Sequence, residues 1–133
     1  MKVRHFLNKL EHDDIVAAIR QAEQMTTGEI RVFISHRRVE HAVAAAQAHF
    51  VKLGMDKMPD RNGVLLFVAP RTHKFAVIGD AAVHARCGDE FWTALAAEMS
   101  GHFRKSSFHE GILHAIRKAG ELLAQHFPRK PPA

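Results

Sequence analysis

The run Gly63-Val64-Leu65-Leu66-Phe67-Val68-Ala69 is apolar without a break, the pattern of a strand covered on both of its faces. A half-solvated strand would alternate apolar with polar residues, and a buried helix would need about 10–12 residues. The chain must therefore supply apolar layers on both sides of this segment. Upstream, Glu29-Ile30-Arg31-Val32-Phe33-Ile34-Ser35 alternates, with Ile30, Val32 and Ile34 on one face and Arg31, Phe33 and Ser35 on the other. That predicts a half-buried strand near a sheet edge. Downstream, Pro70-Arg71-Thr72-His73 can turn, and Lys74-Phe75-Ala76-Val77-Ile78-Gly79 predicts the antiparallel partner of the central strand.

The covering layers are legible as helices. Asn8-Lys9-Leu10-Glu11 reads as a capping box that opens a helix through Ile15, Ala18, Ile19 and Ala22 toward Met25, with Gly28 as its stop. Val39, Val43, Ala46, Phe50 and Leu53 recur at helical spacing before Gly54. Asp89 can cap a helix carrying Trp92, Leu95, Ala96, Met99 and Phe103. Ser107-Phe108-His109-Glu110 is a second capping box, opening a helix with Ile112, Ala115, Ile116, Ala119 and Leu123 that Pro128 ends. The order α, β, α, β, β, α, α in 133 residues predicts one α/β domain, a small mixed sheet with helices on both faces. Its core should span about residues 8–127, with 128–133 a loose tail. A short further strand is expected near Met1 to His5 or in the connector from Asp56.

Apolar residues at 47% and charged ones at 25% exclude the composition of a disordered chain. No segment approaches the roughly 18 apolar residues of a membrane span. The lone Cys87 excludes an intramolecular disulfide and suits a reducing compartment, so a cytoplasmic location is expected. Cys87 lies beside Gly88 at an apparent helix start, where a thiol pKa can fall, and its plainer reading is a small hydrophobe. Eleven histidines are scattered without HxH, HExxH or zinc-ligand spacing. A formal charge of +5 favours acidic partners.

The first two strands, joined through a helix, should be parallel, which sorts the strand ends onto two rims. One rim receives Glu29, Asp60-Arg61-Asn62 and Gly79-Asp80. Oxygen ligands from Glu29, Asp60 and Asp80 could converge on a hard cation, Ca2+ or Mg2+. The plainer reading has Glu29 paired with Arg31 or Arg61, Asp60 in a turn and Asp80 capping the next turn of the chain. The other rim carries Ser35-His36-Arg37-Arg38 and Pro70-Arg71-Thr72-His73-Lys74. Arg37, Arg38 and Arg71 could take an anion there, from an acidic or phosphorylated partner, because ligands of open α/β sheets bind beyond the carboxyl ends of parallel strands. A solvated charged rim is the plainer reading. No glycine-rich phosphate loop is present and no aromatic platform interleaves the charges, so nucleic acid is not the expected partner.

Thr27-Gly28-Glu29-Ile30-Arg31-Val32, then Arg61-Asn62-Gly63-Val64-Leu65-Leu66-Phe67-Val68-Ala69, then Lys74 onward to Ile78-Gly79-Asp80, and finally Phe108-His109-Glu110-Gly111-Ile112 succeed one another in order. In this ordered set the chain resembles the TPM domain family, from about residue 10 to 125. The resemblance implies a Rossmann-like, three-layer α/β/α sandwich. Relatives in plant thylakoids are associated with photosystem II repair and described as acid phosphatases, others bind divalent cations such as calcium, and animal members act as accessory parts of membrane receptors. The resemblance therefore implies a binding or accessory module with a divalent-cation site, and as its alternative a metal-assisted phosphatase; the basic rim offers a third reading, a nonspecific nucleic-acid or anion binder. Two departures stand out: no counterpart of the signal peptide and membrane span of many members is expected, and Arg61-Asn62 stands where an asparagine pair is common.

Overall fold

Strand β2 (Gly63–Ala69) forms on the unbroken apolar run, and all of its residues are buried. The computed structural model describes residues 9–88, 90–104 and 108–129. β1 (Glu29–Ile34) pairs with β2 in parallel, from Glu29 opposite Gly63 to Ile34 opposite Val68. β3 (Lys74–Gly79) pairs with the other edge of β2 antiparallel, from Val64 opposite Gly79 to Ala69 opposite Lys74. The sheet order among the described residues is thus β1-β2-β3, with the most apolar strand in the middle.

The pleat of β2 sends alternate side chains to opposite layers. Val64, Leu66 and Val68 join Ile30 and meet Ile15 of α1 (Lys9–Glu23), Leu95 and Met99 of α4 (Glu90–Arg104), and the buried stripe of α5 (Phe108–His126). That stripe is Ile112, Ala115, Ile116, Ala119 and Leu123, at the three- and four-residue steps of one helix face. Burying each of its large aliphatic side chains stabilises the fold by about 1.5–3 kcal/mol. Leu65, Phe67 and Ala69 point the other way, toward Ala46 and Phe50 of α2 (Ala42–Lys52). α1 and α5 approach closely because Gly120 has no side chain: a Cβ there would stand 2.7 Å from the Cβ of Ala22.

Several expectations change. Ala81–Cys87 forms a short helix, α3, which sequence periodicity missed because it holds a single buried apolar residue, Val83. Cys87 therefore ends a helix instead of starting one, and burial pushes its thiol pKa up, with nearby Arg86 acting against that. The connector from Asp56 holds a 3-10 turn, Met55–Lys57, anchored by buried Met55, and no strand. On α2 the apolar face is narrower than its spacing suggests, since Val43 is 58% exposed. Pro128 and Arg129, expected in a loose tail, are tied to the α1–β1 turn: Pro128 bridges to Thr26, and Arg129 N–H donates to Met25 O at 3.2 Å. The caps expected at Asn8, Asp89 and Ser107, the strand near Met1 to His5 and the last four residues lie outside the described residues.

Candidate functional site

The amino ends of β1 and β2 and the end of β3 meet at one rim. Asp80 N–H donates to Gly63 O at 3.0 Å, which fastens the end of β3 to the start of β2. Asp80 is the N-cap of α3, its Oδ1 accepting from Ala81 N–H at 2.7 Å. The same carboxylate is held bidentately by Arg61, Nε to Oδ2 at 2.8 Å and Nη2 to Oδ1 at 2.7 Å. Two parallel N–H···O bonds are the strongest form of this pairing. Arg61 reaches it from a left-handed backbone, φ 51, a conformation uncommon outside glycine and asparagine. Ala82 N–H donates to Arg61 O at 3.1 Å and Arg61 N–H to Met58 O at 3.2 Å, so this conformation is braced on both sides.

The electrostatics follow from that geometry. Burial works to raise the Asp80 pKa, and the hydrogen bonds from Arg61 and Ala81 outweigh it, so the carboxyl lies below its ordinary value. The Arg61 pKa is raised in return, chiefly by its hydrogen bond to Asp80. Asp56 adds a smaller attraction on Arg61. Asn62 is buried beside the pair, its Nδ2 donating to Thr27 Oγ1 at 3.2 Å, while its Oδ1 has no hydrogen-bond partner among the described residues. Gly28 lies against it, where a Cβ would stand 3.0 Å from Asn62 O.

Glu29, Asp60 and Asp80 do not gather at this rim. Glu29 pairs with Arg31 at 2.5 Å, Asp60 is exposed in the turn before β2, and Asp80 belongs to Arg61. The sheet order explains it: Glu29 and Asp80 flank Gly63 from opposite edges, two strand spacings or about 10 Å apart along the sheet. Among the described residues no group of three or more His, Cys, Asp or Glu side chains stands ready for a metal ion. As paired, these residues do not fit a divalent cation, because a guanidinium already takes the carboxylate oxygens.

The opposite rim carries the cations. Ser35 N–H continues the β1–β2 ladder to Val68 O at 2.8 Å, and the buried Ser35 Oγ accepts from Arg37 N–H at 3.2 Å. Arg37 and Arg38 come directly after, and Arg71 sits in the 3-10 turn Pro70–Thr72 that ends β2. All three are exposed, and among the described residues none of their guanidinium groups has an ion-pair partner. Lys74, by contrast, donates to Glu40 O at 2.7 Å.

A family model described as the TPM domain matches residues 2–122. The chain belongs to the TPM domain family. Among solved structures it is similar to the BA42 protein of the psychrophilic bacterium Bizionia argentinensis, at 36% identity, with 94% of this chain and 86% of that one covered and a TM-score of 0.86. It also matches the N-terminal domain of a protein from P. gingivalis with a TM-score of 0.71, covering 92% of this chain and 79% of that one. At 13% identity that second likeness shows the fold alone. No curated protein matches in sequence.

In this TPM domain, sequence reasoning placed Asp80, Arg61 and Asn62 on one rim and Arg37, Arg38 and Arg71 on the other, and the strand pairing agrees. It missed Asp56, whose charge reaches Arg61 because the connector folds back through its 3-10 turn. Nothing in the spacing of Asp56 and Arg61 signals that turn. No helix among the described residues is long and apolar enough to cross a membrane.

Proposed function

We propose that this TPM domain is a binding module, built on a Rossmann-like three-layer frame, that docks an acidic or phosphorylated partner on the rim of Arg37, Arg38 and Arg71. The observation that carries this reading is the parallel register of β1 and β2, which puts both strands' carboxyl ends, and the exposed arginines after them, at one edge. Guanidinium groups suit this task because their planar fork matches carboxylate and phosphate oxygens.

The test is fluorescence anisotropy with a labelled phosphopeptide and its unphosphorylated twin across a salt series. The phosphopeptide should bind more tightly, its affinity should fall as salt screens the contact, and the Arg37→Ala, Arg38→Ala, Arg71→Ala triple variant should flatten that dependence. Equal binding by the triple variant would overturn the proposal. Release of phosphate from an aryl phosphate that depends on added Mg2+ and is lost in Asp80→Asn would favour the phosphatase reading instead.

A further inference from the structure

α4 and α5 pack side by side, and the outer edge of their contact carries three metal-ligating side chains. Glu98 and His102 lie four residues apart on α4, so they share one face of the helix. His114 of α5 faces them: its Nε2 is 2.7 Å from Glu98 Oε2, and its ring centre is 5.6 Å from that of His102. With Gly101 these residues line a shallow cleft of about 300 Å3. A Cβ at Gly101 would meet nothing within 4 Å, so the cleft is open at that point.

We propose that Glu98, His102 and His114 bind one transition-metal ion of the Zn2+ class, clasping α4 to α5. Two imidazoles and a carboxylate are a donor set that borderline ions accept and that Ca2+ and Mg2+, which want oxygen alone, do not. The ring spacing suits it. Two imidazoles on one ion at about 2.0–2.1 Å have ring centres roughly 5–5.5 Å apart, close to the 5.6 Å found here. The three side chains do not yet stand as a finished ligand set among the described residues. The 2.7 Å contact is of hydrogen-bond length, whereas a nitrogen and an oxygen sharing a tetrahedral ion are roughly 3.3 Å apart. Opening that contact by roughly 0.6 Å admits the ion, a movement within the reach of partly exposed side chains. The proton between Nε2 and Oε2 then moves to Nδ1 of the same ring or to solvent, and the ion takes its place. A fourth position stays open to water.

The experiment uses the full chain and Zn2+ alone, followed by calorimetry and thermal melting near neutral pH. One equivalent should bind and raise the melting temperature by several degrees. His102→Ala and His114→Ala should each weaken binding by at least the roughly 10–100-fold that loss of a mere supporting partner costs. Glu98→Gln should weaken it as well. His41→Ala, which removes an exposed histidine elsewhere, should change nothing, and Ca2+ or Mg2+ should not replace Zn2+. The variant side chains are partly exposed, so metal-free melting verifies that each variant is folded. Absence of binding at tens of micromolar Zn2+ would overturn the proposal and leave His114–Glu98 as a surface ion pair. Binding that survives both histidine substitutions would overturn it equally, by placing the ion on other histidines.

Discussion

Asp80→Asn isolates the ion pair at the acidic rim, because asparagine keeps the shape of aspartate and caps a helix about as well. The Asp80 side chain is 4% exposed and accepts two bonds from Arg61 and one from Ala81 N–H. Hydrogen bonds to charged groups contribute about 1.5–3 kcal/mol when buried. The partner here is half in water, which lowers the expected loss to about 1–2 kcal/mol. Unfolding entropy of about 2.1 cal/mol/K per residue makes each kcal/mol worth roughly 3–4 °C in a domain of this size. Asp80→Asn should therefore melt roughly 4–7 °C below the parent near pH 7, and Asp80→Ala lower still, by the further ~1 kcal/mol of the lost cap. The pH dependence has a fixed sign. The native pKa of Asp80 is lowered, so its contribution is fully present above the ordinary aspartate pKa of about 3.9 and is lost as pH falls through the lower native value. The gap between parent and Asp80→Asn should accordingly close in acid. Calorimetric melts from pH 7 downward check this, and an Asp80→Asn variant as stable as the parent at pH 7, or a gap that persists in strong acid, would refute the reasoning.

Native-state hydrogen exchange should find β2 the most protected strand, since both its faces are covered and both its edges paired; fast exchange across Val64 to Val68 would contradict the topology. Gly120→Ala should destabilise by about 1–2 kcal/mol despite its better helix propensity, because its Cβ would sit 2.7 Å from that of Ala22, and Ala22→Gly should restore much of the loss in a denaturant melt. Arg61→Asn should lower the melting temperature near pH 7 at least as much as Asp80→Asn, and combining the two should add little, since asparagine accepts the left-handed backbone and both changes remove the same ion pair; fully additive losses in a thermal melt would contradict the pairing.

The strands were legible because their periods are simple: β2 is apolar throughout and β1 alternates, so faces, partners and rims can be derived from sequence alone. α5 was legible for the same reason, from its repeating buried stripe. α3 was not, because seven residues with one buried apolar side chain leave no period to detect. At the acidic rim the Glu29–Arg31 pair and the Asp80 cap were legible, but the pairing of Asp80 with Arg61 was not. Whether Asp80 meets a metal or Arg61 depends on the backbone at Arg61 turning left-handed, and arginine gives no local sign of that. The histidines show the same limit at longer range. His102 and His114 are separated by twelve positions and meet only because α4 and α5 pack together, so no ligand spacing could announce them.

The most direct test of the binding reading is a two-dimensional amide NMR titration of the 15N-labelled domain with a phosphopeptide at moderate salt. Chemical-shift changes should concentrate on residues 35–38 and 69–73, where the carboxyl ends of β1 and β2 present Arg37, Arg38 and Arg71. Shifts centred on residues 60–63 and 80–82 with that basic rim silent, or no shifts at all, would contradict it.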